Sequence, residues 1–167
     1  MKIIQSKVRF KSNSNHKPHT ITLHHTAGSI KGSVPYLVEK GYGYHFLISK
    51  SGTINAYNPV SDVVSHSYKA NVGYIGISYE AGGPLGPVLD IQRDASIELI
   101  IELMRYHKEI DTISDHASID NIIARRGWKS DPQWLGEPVE GSIWAIKKLN
   151  LDIIAKACKL KALSFIK

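Results

Sequence analysis

Residues 20–28 read TITLHHTAG, and the fold turns on how this stretch is read. The apolar run Ile21-Thr22-Leu23 leads into two adjacent histidines and then the small residues Ala27 and Gly28. Thr20 to His24 therefore reads as a strand that ends at a histidine pair. Such a pair is either a surface feature or the first half of a metal site. Ligands elsewhere in the chain decide between the two.

Working outward, residues 1–19 are polar and basic, which predicts an arm or an edge element. Ser33 to Lys40 predicts a short helix, with Ser33 as N-cap and Pro35 in its first turn. Tyr44 to Ser49 and Thr53 to Tyr57 are β-rich and separated by Lys50-Ser51-Gly52, a hairpin signal. Gly73 to Tyr79, GYIGISY, predicts a further strand whose glycines suggest close backbone approach. Ala95 to Glu109 is the clearest helix, with Asp94 as N-cap and Ile97, Ile100, Ile101 and Met104 on one face. Ile119 to Ala124 predicts a further helical turn. The last 25 residues predict a helix with Leu149, Ile153, Ala157 and Leu160 as a stripe and lysines over much of the rest. Strands followed by helices, with hairpins early, predict a mixed α/β sheet with helices packed on it.

The 167 residues fit one domain with a core of its own. Apolar residues make up 43% and charged residues 22%, an ordinary globular balance. No apolar run approaches the roughly 18 residues that span a bilayer, and the N-terminus is too polar for a secretory signal. The single cysteine, Cys158, excludes an internal disulfide, so a metal would rest on histidine and carboxylate ligands. The net charge of +6 favours an acidic partner: nucleic acid, an anionic envelope polymer or a membrane surface. The chain has no zinc-finger cysteine pattern, RNP stretch or convincing helix-turn-helix, so the charge reads as a surface property and not as specific nucleic-acid binding.

His16, His19 and His107 read as surface or hydrogen-bonded histidines. His24 stands apart because of its company. A second segment, DHASIDNIIARRGWKSDP (115–132), carries His116, Lys129 and Asp131. Two imidazoles and a carboxylate make a three-ligand zinc set with a fourth position left for water, and this donor set suits Zn²⁺ better than Ca²⁺ or Mg²⁺. Residues 129 and 131 lie two apart, so an extended backbone points both side chains the same way. Lys129 can then stabilise an oxyanion beside the metal.

Four stretches carry a resemblance: LHHTAG (23–28), YHFLISKSGTI (44–54), SHSYKANVGYIGIS (65–78) and DHASIDNIIARRGWKSDP (115–132). In this order they resemble the zinc-dependent N-acetylmuramoyl-L-alanine amidases of the type 2 family, whose superfamily includes phage amidase lysozymes and peptidoglycan recognition proteins. The resemblance spans roughly residues 20–135. It implies a single α/β domain, a central mixed β-sheet flanked by helices with a zinc groove on one face. It implies His24, His116 and Asp131 as metal ligands and Lys129 as the catalytic lysine. Tyr44 matches a tyrosine beside the reacting water, His66 matches a groove histidine, and His25 is implied as a structural or rim-lining neighbour in substrate binding. The chain departs from the pattern in two places. Many relatives carry Glu directly after Ile-Gly-Ile, where this chain has Ser78; Glu80, two positions on, is the candidate for the same pocket, against a solvated strand-end carboxylate. SIDNIIARRGW also replaces the Asp-Ile and Ala-Pro-Gly pieces of relatives.

The resemblance implies zinc-dependent hydrolysis of the amide between N-acetylmuramic acid and L-alanine in peptidoglycan, most in keeping with a phage endolysin. Such an enzyme is made in the host cytoplasm, acts on the cell wall and works as a monomer. The expected division is 1–19 as arm, 20–140 as catalytic region and 141–167 as a basic helix packed on or appended to the same domain. That helix is read as core-packing with a solvated lysine face; the alternative is contact with the anionic envelope. The rival functions are a non-catalytic peptidoglycan-binding module of the same fold and a basic nucleic-acid-binding domain.

Overall fold

A computed structural model of the chain describes residues 2–13, 15–67 and 70–115. Its strands are β1 (Ile3–Gln5), β2 (Ser12–Asn13), β3 (Thr20–His25), β4 (Phe46–Ile48), β5 (Ile54–Ala56), β6 (Val63–Val64), β7 (Tyr74–Tyr79) and β8 (Thr112–Asp115). Its α-helices are α1 (Ile30–Lys40) and α2 (Asp90–Tyr106), and a 3₁₀ turn covers Gly83–Leu85. Six strands form one sheet in the order β1-β5-β4-β7-β3-β8, while β2 and β6 form a separate antiparallel pair. Among the described strands of the large sheet only β4 and β5 pair antiparallel, joined by the expected hairpin. Gly52 closes that turn at φ 75, a conformation that a side chain disfavours.

β3 lies inside the sheet, parallel to β7 on one side and to β8 on the other. Parallel neighbours require a crossover, and the helices supply it: α1 lies between β3 and β4, and α2 between β7 and β8. The register places His24 beside Ser78 and Leu23 beside Asp115. Alternation along β3 and β7 then sorts the two faces. Ile21, Leu23, Ile75 and Ile77 join Phe46 and Ile48 in the main core with Leu99, Ile100 and Leu103 of α2. On the other face Leu47 packs with Phe10, Tyr57 and Val64, covered by Ile30, Val34 and Leu37 of α1. This is the expected single domain, a mixed central sheet flanked by helices.

Both helices begin earlier than the sequence predicts. The N-cap of α1 is Ser29, whose hydroxyl accepts from Gly32 N, and not Ser33. A carboxylate oxygen of Glu80 takes the amide of Ile30 at 2.9 Å, satisfying a second donor of the first turn. Pro35 therefore falls inside the helix instead of in its first turn. The N-cap of α2 is Leu89, not Asp94. Gln92 holds this extra turn: its Oε1 accepts from Leu89 N, and its amide donates to Ile48 O and Glu80 O. The helix ends at Tyr106, three residues short of the expected Glu109. Its buried face runs through Gln92, Ser96, Leu99, Ile100, Ile101 and Leu103, leaving Ile97 and Met104 at the margin. The sequence offered no expectation of β8. The segments predicted beyond residue 115 lie outside the described residues.

Gln92 is fully buried and ties α2 to the ends of β4 and β7. Gln92→Leu strands the Ile48 and Glu80 carbonyls and the Leu89 amide, and is expected to cost about 2 kcal/mol or more. Urea denaturation of the variant against the parent measures this.

Candidate active site

The polar face of β3 carries Thr22 and His24, two residues apart and both buried. His24 is 6% exposed. Its ring meets Tyr44 at 4.9 Å between centroids and His66 at 5.1 Å, nearly perpendicular. His24 Nε2 and His66 Nδ1 lie 3.1 Å apart. The sheet thus brings together three expected site residues that are far apart in sequence.

Each is placed by a local device. Tyr44 lies two residues before β4, and the intervening His45 N donates to Gly76 O at 2.9 Å. His66 sits in the loop before β7, where Asn71 Oδ1 accepts from both His66 N and Ser67 N, at 2.9 and 2.8 Å. Gly76 makes room for the imidazole, since a Cβ there would stand 2.8 Å from His66 Cγ. This is the close approach that the glycines of GYIGISY suggested. Burial pushes the Tyr44 phenol up to about 12, with the neighbouring Ser78 hydroxyl pulling the other way. At neutral pH Tyr44 is therefore a neutral hydrogen-bond donor.

Glu80 and His25 are used differently. Both carboxylate oxygens of Glu80 accept backbone amides, Ile30 N at 2.9 Å and Lys50 N at 3.0 Å. The side chain ties the start of α1 to the β4–β5 turn, so it is not a solvated strand end. His25 points to the face opposite His24, and its ring lies against Gly82. His116, Lys129 and Asp131 lie outside the described residues, as do the lysine-rich residues 141–167. The described chain reaches Asp115, level with Leu23, one residue before His116 in sequence.

Among the histidines read as unremarkable, His16 accepts from Gly73 N and bonds Val60 O, and His19 bonds the Thr20 hydroxyl. His45 was not singled out by sequence reasoning. It is fully buried behind the site, its ring 6.0 Å from that of His66. Its Nδ1 accepts from Gly76 N and its Nε2 faces Asp62 O, which together fix a neutral ring with the proton on Nε2. The available signal was its place inside the apolar run YHFLI, where a histidine must be buried.

A donor set of imidazoles and carboxylate suits zinc, and the part that is described fits. His24 is held on a polar face, and the buried Thr22 hydroxyl on that face has no hydrogen-bond partner among the described residues. Among the described residues no group of three ligating side chains forms, the other two candidate ligands lying beyond them. No described helix is long and apolar enough to cross a membrane.

The described fold is thus a mixed sheet that buries a histidine on a polar face. The chain belongs to the N-acetylmuramoyl-L-alanine amidase family Amidase_2, whose model matches residues 14–134. That match contains every candidate ligand and catalytic residue. Proteins of this family act on or bind peptidoglycan. The fold is similar to N-acetylmuramoyl-L-alanine amidase LysC from Clostridium intestinale URNW, at 25% identity and TM-score 0.64, over 77% of this chain and 99% of that one. It is also similar to the Ph2119 endolysin from Thermus scotoductus MAT2119 bacteriophage Ph2119, at 21% identity and TM-score 0.57, over 77% and 100%. Drosophila peptidoglycan recognition protein SD shares the fold at 17% identity and TM-score 0.57, over 69% and 82%. Comparison with curated proteins gave no match.

Burial lowers the His45 pKa from 6.5 to about 4, chiefly by desolvation of the charged ring. The unfolded chain thus binds this proton first, and stability present above pH 6.5 is lost as pH falls toward 4. The loss is on the order of 3 kcal/mol. Urea midpoints across this range, with the His45 ring followed by NMR, are expected to show the decline while the folded ring takes up its proton only near the low end.

Proposed function

We propose that the chain is a zinc-dependent N-acetylmuramoyl-L-alanine amidase that cleaves the amide between the lactyl group of N-acetylmuramic acid and L-alanine, acting as a phage endolysin. The observation that carries this reading is the grouping of His24, Tyr44 and His66 on one polar face. It falls within a family match that also contains His116, Lys129 and Asp131. The amidase and endolysin among the similar structures support the lytic assignment.

His24, His116 and Asp131 would hold the metal. When bound, zinc supplies Lewis acidity, polarising the amide carbonyl and making a water acidic enough to attack at neutral pH. Lys129 would share the negative charge that develops on the carbonyl oxygen. Tyr44, kept protonated by burial, orients the attacking water or the tetrahedral centre by donating a hydrogen bond. Glu80 has both oxygens committed to amides, so its part is to tie the start of α1 to the β4–β5 turn.

A non-catalytic peptidoglycan-binding role is the second reading, favoured by the recognition protein among the similar structures. It is disfavoured by the presence of all three candidate ligands and the lysine in the sequence. Digestion of purified murein, with and without a chelator, separates the two: a new L-alanine amino terminus that vanishes with chelation is expected. Binding without a new terminus overturns the enzyme.

Lys129→Ala is expected to keep zinc and lose about a hundredfold or more in rate. His24→Ala and Asp131→Ala are expected to lose metal as well as activity. Metal analysis beside turnover of each variant distinguishes these roles.

A further inference from the structure

Beyond the contact between them, the hydrogen bonds of His66 and His24 have a direction. His66 Nε2 lies 3.5 Å from Tyr74 O, and a carbonyl can only accept. In a neutral imidazole the proton therefore sits on His66 Nε2, and Nδ1 is left as the acceptor. That acceptor faces His24 Nε2 at 3.1 Å and the Ser67 hydroxyl at 3.2 Å. Facing a lone pair at 3.1 Å, His24 Nε2 makes a hydrogen bond by carrying the proton, which leaves the His24 lone pair on Nδ1.

We propose that His66 is a positioning residue: relayed from Tyr74 O, it selects the His24 tautomer that presents Nδ1 as the metal-binding nitrogen. The inference rests on the reading of His24 as a ligand. It replaces the expected role of His66 in touching substrate, since both of its ring nitrogens are engaged within the fold. The relay is held from several sides. Asn71 Oδ1 fixes the backbone at residues 66 and 67, and the bare Gly76 seats the ring against β7. Partners of ligating histidines that fix tautomer and ring orientation typically govern metal affinity by 10–100-fold.

The test begins with the metal-free parent protein, its histidine rings labelled with ¹⁵N and read by long-range NMR at neutral pH in excess chelator. His24 is expected to carry its proton on Nε2. His66→Phe, which removes the acceptor, is expected to mix the His24 tautomers and raise the zinc Kd by about 10–100-fold in chelator competition. His66→Asn, whose Oδ1 replaces the Nδ1 acceptor, is expected to restore both readouts to within a few-fold. A parent His24 protonated on Nδ1 overturns the proposal, as does a His66→Phe protein with unchanged tautomer and unchanged zinc affinity. Should His66→Phe fail to fold, the parent spectrum and His66→Asn still decide. A parent protein that binds no zinc overturns the amidase reading instead, and the His24 tautomer, read without metal, still tests the relay.

Discussion

The pairing of β3 between β7 and β8, all three parallel, is the constraint on which the rest depends. It fixes which residues of TITLHH face α2 and which lie on the opposite face with His24. A slip of one residue would turn His24 into the main core and Leu23 out of it. It also sets Asp115 level with Leu23, so the second motif segment begins beside the first although it lies more than ninety positions later. Parallel neighbours cannot be made by a tight turn, and the intervening helices are the physical cost of that adjacency.

The two faces of the sheet follow different rules. Facing α2, isoleucines, leucines and aromatics fill the space with few polar atoms. The other face buries Thr22, His24, His45, His66 and Ser78 beside the apolar cluster of Leu47, Phe10, Tyr57 and Val64. Buried imidazoles persist only where their nitrogens are matched. Here backbone groups do the matching: Asp62 O and Gly76 N for His45, Tyr74 O for His66. At His45 an amide facing one nitrogen and a carbonyl facing the other impose a single proton position on the ring. Glu80 applies the same logic one step away, its charge shared by two amides of different elements.

Much of this was legible in the chain. The strand ending at the histidine pair, the hairpin at Gly52 and the strand through GYIGISY are local patterns, and each is observed within a residue or two. The helix starts were misjudged because their caps are tertiary. Ser33 reads as a cap in sequence, but Glu80, fifty residues away, takes the Ile30 amide and supports the earlier start at Ser29. Gln92 looks like a surface residue until its amide is seen on Ile48 O and Glu80 O. The strand at Thr112–Asp115 is short, and its value lies in its neighbour β3, which no local pattern reveals.

The sequence by itself determined the family, the α/β class and the identity of the chemical groups, because motif residues and hydrophobic alternation are local properties written in order along the chain. Tertiary structure decided how those groups are used. It set His66 against His24, gave both oxygens of Glu80 to the backbone, and buried His45 behind the site. The physical reason is that hydrogen-bond partners and desolvation belong to pairs of groups brought together by strand register, and register is a relation between segments that neither segment contains.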